Sequence, residues 1–121
     1  MKEKLTFQEA INQYLKTGTV LTETALSGNY KRGNIIAKKN RKVFDYLSQN
    51  RDLAIEVFST IMNSDNDKAK SIAAADSIRM NIMLEQATTV LEELAKRNDF
   101  VGFEAELVLR IWKGEFPGKT L

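Results

Sequence analysis

Lys31, Arg32, Lys38, Lys39, Arg41 and Lys42 fall within residues 31–42, a stretch that contains no acid. Such a cluster can hold phosphate or carboxylate by charge alone, and it is the chemistry that proteins use against nucleic-acid backbones. On a helical wheel all of them except Arg41 lie within about 120° of one another. Ile35 falls inside this stripe and is predicted to be exposed, which favours a protein partner over a nucleic acid. Nucleic-acid surfaces interleave aromatics or glycines with their cations. Here Tyr30 and Gly33 point to the opposite side. A stripe of this kind is most often a solvated outer face, so anion binding is the second reading of it.

Two amides share the same helix. Asn40 sits at the centre of its apolar face, where a buried amide must find hydrogen bonds. The expected role is a structural bond to a neighbouring helix or loop carbonyl. Asn34 flanks that face and is a candidate polar contact. Glu104, Glu106 and Arg110 form the richest carboxylate group, close to Trp112. Glu106 and Arg110 stand at i,i+4, which predicts an ion pair. Paired carboxylates do acid–base work only where a pocket separates their pKa values, so a structural salt bridge is the expectation. Trp112 is expected in the core.

Other chemistries are missing from the sequence. It has no His and no Cys, which removes a His-based triad, a thiolate nucleophile and the common transition-metal ligands. Asp65-Asn66-Asp67 opens like a calcium loop. The pattern then needs an acid or amide where Ala69 stands and a glycine where Lys70 stands. A helix cap explains the aspartates better. No glycine-rich phosphate loop occurs. The scattered Ser and Thr residues have no partner base. No cofactor and no metal are expected.

The elements that position these residues are helices. Apolar residues recur at three and four along most of the chain, and the lone proline is Pro117. Thr6 with Glu9 forms a capping box for the first helix. Its inner face carries Phe7, Ala10, Ile11, Tyr14, Leu15, Leu21 and Ala25. Gly18 is a weak point where it could split. Ser27-Gly28-Asn29 ends it. The second helix runs from about Tyr30 to Gln49, with Tyr30, Gly33, Ile36, Ala37, Val43, Phe44 and Leu47 inward. The third spans Asp52 to Met62. Ser64 with Asp67 signals the start of a fourth, from Asp65 to Met80. The fifth runs from Leu84 to Arg97 and the sixth from Asp99 to Lys113. The sixth is apolar around most of its circumference and is expected to be largely covered. Phe58, Leu91, Leu94 and Phe103 are the expected core.

Short breaks between helices imply antiparallel neighbours. The predicted fold is all-α: a single domain of about six helices arranged as an α-α superhelix, with a closed bundle as the alternative. Its limits are 1–113, followed by a loose tail over 114–121. No apolar run is long enough to cross a membrane. MKEKLTFQEA lacks the apolar core of a signal peptide, so a cytoplasmic protein is expected. The net charge of +2 is too small to mark a nucleic-acid protein.

Asp65-Asn66-Asp67-Lys68-Ala69-Lys70 followed by Ala73-Ala74 resembles the inner-helix signature of HEAT-like repeats. Gly28-Asn29-Tyr30-Lys31 with Asn34 resembles a small bacterial family of HEAT-like domains of unknown function. So do Val90-Leu91-Glu92-Glu93-Leu94-Ala95, and Phe103-Glu104-Ala105-Glu106 with Leu109 and Trp112-Lys113-Gly114. This resemblance implies an α-α superhelix and carries no established activity. One departure is Ser77, where repeats carry a leucine, with Asp76 beside it on the face to be buried. Either the repeat is out of phase or that helix is partly exposed.

The leading expectation is a non-enzymatic protein-interaction module, in the manner of an inhibitor or immunity-type partner, because solenoids present extended rigid surfaces. The alternative is nucleic-acid or phosphate binding through the stripe of Lys31, Arg32, Lys38, Lys39 and Lys42. A carboxylate enzyme resembling the HEAT-like DNA glycosylases ranks third, since those proteins are longer and their catalytic constellation has no place here.

Overall fold

Thr6 begins the first helix as its spacing to Glu9 predicts: its Oγ1 accepts from Glu9 N at 3.1 Å, and Thr6 N donates to Glu9 Oε1 at 3.0 Å. A computed structural model describes residues 4–121, and Met1 to Glu3 lie outside the described residues. The domain limits and the leader-peptide reading therefore reach beyond it at the N-terminus. Six helices follow: α1 (Phe7–Ser27), α2 (Tyr30–Leu47), α3 (Arg51–Met62), α4 (Asp67–Arg79), α5 (Leu84–Ala95) and α6 (Phe100–Trp112). Among the described residues there is no strand. The chain is a single all-α domain.

α1 runs unbroken through Gly18. A Cβ at Gly18 would stand 2.6 Å from Asn66 Oδ1 and 2.7 Å from Ala69 N. The glycine is thus where the start of α4 lies directly against α1. Asn66 fixes that crossing from the other side. Its Oδ1 accepts from Ala69 N at 3.0 Å, and its Nδ2 donates to Leu15 O at 3.0 Å. The expected cap of Ser64 with Asp67 gives way to Asn66, because Ser64 Oγ donates to Ile61 O at 2.7 Å in the preceding turn. Gly28, at φ 77°, closes α1 in the left-handed region where a side chain is disfavoured. Asn29 then caps α2 by accepting from Arg32 N at 3.2 Å, and α2 folds back on α1.

α4 packs against α1, α3, α5 and α6 and is the axis of the domain. Its small residues Ala69, Ala73, Ala74 and Ser77 are fully buried, which lets four neighbours come close. Asp76 and Ser77 do not mark an exposed side. Both are buried, and Ser77 Oγ donates to Ala73 O at 2.8 Å. Tyr14, Leu47, Phe58 and Leu91 fill the core around this axis, with the Tyr14 and Phe58 rings edge to face at 5.5 Å.

α6 departs from expectation. Only Gly102, Ala105 and Leu109 are buried, facing α5 and α4. The opposite stripe of Phe100, Phe103 and Leu107 lies open, and Phe103 is 61% exposed rather than core. An all-round apolar helix satisfies the packing with its small-residue side, and no described residue covers Phe100 and Phe103 on the other. Phe100 and Phe103 stack on each other at 6.5 Å. Trp112 is exposed too. At the α1–α2 tip Ala25 and Tyr30, expected to face inward, are also exposed, because no helix packs over the tip. Ala37 is exposed as well. Residues 114–121 fold back near α6: the Arg110 guanidinium stands 5.1 Å over the Phe116 ring, and Leu121 packs at the margin of the core.

Candidate functional site: a groove between α2 and the α4–α6 side

α2 and α4 both pack on α1, and a groove of about 950 Å³ opens between them. Thr17 and Leu21 of α1 form its floor, with Asn40 of α2 and Asp76 of α4. Lys31, Asn34, Ile35, Lys38, Arg41 and Phe44 rise from α2 along one wall, and Ile72 stands on the other. A second lobe of about 500 Å³ continues towards the N-terminus of α6. It shares Leu21, Asn34 and Ala37 with the first, so the two form one channel. Leu26, Tyr30, Phe100 and Val101 make this second lobe apolar.

The floor is polar and largely buried. Tyr14 Oη donates to Asp76 Oδ2 at 2.6 Å, and the Arg79 guanidinium pairs with Asp76 Oδ1. Burial pushes the Asp76 carboxyl above its ordinary value, against the hydrogen bond from Tyr14 and the charge of Arg79. Burial also raises Tyr14, Asp76 adds to that rise, and a hydrogen bond from the Asn40 side chain opposes it. Asn40 is 6% exposed, and its Oδ1 has no hydrogen-bond partner. An unpaired buried acceptor costs about 1–3 kcal/mol. Native structures carry few such groups.

The wall and rim are charged. Lys31 and Lys38 have no carboxylate partner among the described residues. Arg41 stands 3.7 Å from Asp45 and 5.9 Å over the Phe44 ring. At the far lobe Lys68 Nζ donates to Glu104 Oε1 at 2.6 Å, and Arg97 pairs with Asp67 and Asp99. The hydrogen bond from Arg97 holds Asp99 below the usual carboxylate range, and the same contact raises Arg97.

This arrangement redistributes the residues singled out from the sequence. Lys31, Asn34, Ile35 and Lys38 turn to the groove, and Ile35 is 50% exposed as expected. Arg32 faces away and pairs with Glu23 at 3.4 Å. Lys39 and Lys42 are exposed on the outer flank, outside the groove lining. Arg41, which the wheel sets apart from the stripe, joins the groove instead. Asn40 is buried as expected. The predicted Glu106–Arg110 pair does not form: Arg110 Nε donates to Glu115 Oε1 at 2.9 Å, because the turn after α6 brings that acid closer. Glu106 is exposed, and Glu104 belongs to Lys68 on α4.

The sequence reading missed Asp76 as a groove residue and the apolar lobe of Leu26, Tyr30 and Phe100. An available signal was Asp76 itself, the one carboxylate beyond the first turn of an alanine-rich helix, with Arg79 three residues on.

Both Asp76 oxygens are engaged, Oδ2 by Tyr14 and Oδ1 by Arg79. Among the described residues no three acidic side chains converge as metal ligands would, and no helix is long and apolar enough to cross a membrane. Comparison with protein families, with curated proteins and with solved structures finds no match for this chain.

Proposed function

We propose that this chain is a non-enzymatic binding module that seats a segment of a protein partner in the channel between α2 and the α4–α6 side. The observation that carries this reading is the pairing, in one channel, of the unpartnered cations Lys31 and Lys38 with the open apolar side chains Leu26, Tyr30 and Phe100. Exposed aromatics beside a charged rim are the composition of protein interfaces. An amphipathic segment with acidic residues matches both lobes. The resemblance to HEAT-like repeats supports the same reading, since those arrays act through long rigid surfaces. An inhibitor or immunity-type role follows by analogy of fold alone.

The second reading is nucleic-acid or phosphate binding on the outer flank of α2. Lys39 and Lys42 favour it, being exposed and without a carboxylate partner among the described residues. Against it, the helix splits its cations between two faces, and two of them, Arg32 and Arg41, already stand beside acids.

The test is capture of partners from the native cell after nuclease treatment, with the wild type and with Lys31→Glu/Lys38→Glu/Arg41→Glu. Retention of one protein by the wild type and its loss in the variant is the expected result. Loss of every partner on nuclease treatment moves the second reading to first place.

A further inference from the structure

α6 packs through Gly102, Ala105 and Leu109 and leaves Phe100, Phe103 and Leu107 open on its other side, the two phenylalanines each 61% exposed. These three follow one another at spacings of three and four, the pattern with which two helices pack along a shared seam. Monomers rarely leave large apolar side chains open side by side. Here the two rings stack on each other at 6.5 Å.

The charges beside the stripe point to what covers it. Glu106 and Lys113 are both exposed, and neither forms an ion pair among the described residues. Being seven residues apart, they lie on the same flank of the stripe, about 10 Å from one another and too far to pair within the helix. Glu104 and Arg110 are already engaged, by Lys68 and by Glu115. In a parallel pair of helices each flank faces the opposite flank of the other copy, so Glu106 and Lys113 would not meet. In an antiparallel two-fold pair like flanks face each other, and a contact made once is made twice. With the axis level with Leu109 and Arg110, Glu106 of each copy stands level with Lys113 of the other, and Leu107 comes beside Ile111. We infer that this chain pairs with a second copy of itself through the outer side of α6, the two helices antiparallel, with Phe103 and Leu107 in the seam and Glu106 and Lys113 joined across it.

The seam is small. An aromatic side chain buries about 150–250 Å², so the open parts of these side chains come to roughly 200–350 Å² a copy, against roughly 800 Å² per partner in a stable interface. The pair therefore forms when the chain is concentrated and separates when it is dilute. Phe100 stands about 14 Å from the axis along α6, so the far lobe of the channel lies at the end of the seam rather than in it.

Sedimentation equilibrium of the intact chain over a wide concentration range tests this. Monomer when dilute and dimer when concentrated is expected. Phe103→Ser/Leu107→Ser is expected to stay monomeric with its helical circular-dichroism spectrum unchanged. Glu106→Lys replaces two attractions by two repulsions and weakens the dimer about tenfold, and Glu106→Lys/Lys113→Glu restores it. The sequence has no cysteine, so single thiols report the register on oxidation. Arg110→Cys, beside the axis, cross-links two copies, and Phe100→Cys does not.

A chain that stays monomeric up to about 1 mM overturns the inference. So does a dimer that survives Phe103→Ser/Leu107→Ser, or a charge exchange that fails to restore it. Cross-linking of Phe100→Cys as readily as Arg110→Cys overturns the antiparallel pairing. Lys31→Glu/Lys38→Glu/Arg41→Glu alters only the channel and is expected to dimerise as the wild type does. Loss of the dimer in that variant places the contact on α2 instead and overturns the seam on α6.

Discussion

The Tyr14 hydroxyl and the Asp76 carboxylate meet at 2.6 Å across the α1–α4 interface, both buried. The contact joins residues far apart in sequence and holds a carboxylate that is largely buried. Its counter-charge is Arg79, which is on the same helix as Asp76 and partly exposed. The floor of the groove is therefore a polar cluster that the alanine-rich axis of the domain must tolerate.

A pH dependence follows from it. The folded protein raises the Asp76 carboxyl above 3.8, its ordinary value. Between that value and the folded one, the native state holds more protons than the unfolded state, so stability falls as pH rises through this window. Asp76→Asn keeps an acceptor for Tyr14 and removes the titration. We expect the stability of the variant relative to the wild type to improve as pH is raised from about 4, and to level off once Asp76 is ionised. Denaturation midpoints measured across that range check it. The opposite drift would mean that Arg79 outweighs burial.

Core and surface phenylalanines are expected to separate cleanly. Phe58 is fully buried and Phe103 is 61% exposed. Phe58→Ala is expected to destabilise by about 3–5 kcal/mol. Phe103→Ala is expected to stay within about 0.5 kcal/mol. Equal losses in chemical denaturation would show that something covers the outer side of α6.

Gly18 is expected to resist even the smallest side chain. A methyl group there meets Asn66 Oδ1 at 2.6 Å and Ala69 N at 2.7 Å, the two atoms of the α4 cap. Gly18→Ala favours the helix by propensity but forces this crossing apart, and a net loss of about 1–3 kcal/mol is expected. A stabilised Gly18→Ala variant would mean that α1 and α4 do not touch as closely as this.

The helices were legible in the sequence because three-four spacing and caps act locally. Thr6 with Glu9, the break at Gly28, the burial of Asn40 and the exposure of Ile35 all follow from neighbours within a few residues. The site was less legible because long-range packing decides it. α4 has small residues on every side, so its wheel shows no direction. Asp76 is explained only by Tyr14, which another helix supplies. α6 has two apolar sides, and the sequence does not say that the side with Gly102 and Ala105 is the one that packs. Arg110 turned to Glu115 because the chain reverses after Trp112, which i,i+4 spacing ignores.

The two faces of α2 are expected to behave differently. Lys39→Gln/Lys42→Gln changes only the outer flank, and Gln is a good helix former. Stability and capture of a protein partner should both be unchanged. If nucleic acid is the ligand, labelled duplex or single strand binds with an affinity that drops steeply with salt, because neutralised phosphates release counterions. Salt-sensitive binding that this double variant abolishes would favour the second reading.

The most direct measurement is amide hydrogen exchange on the chain with and without the protein partner captured from the native cell. Slowed exchange is expected in the C-terminal half of α1, along α2 from Tyr30 to Phe44, and at the start of α6 around Phe100, the elements that line the channel. Protection confined to α3 and α5, with α2 unchanged, would contradict the account.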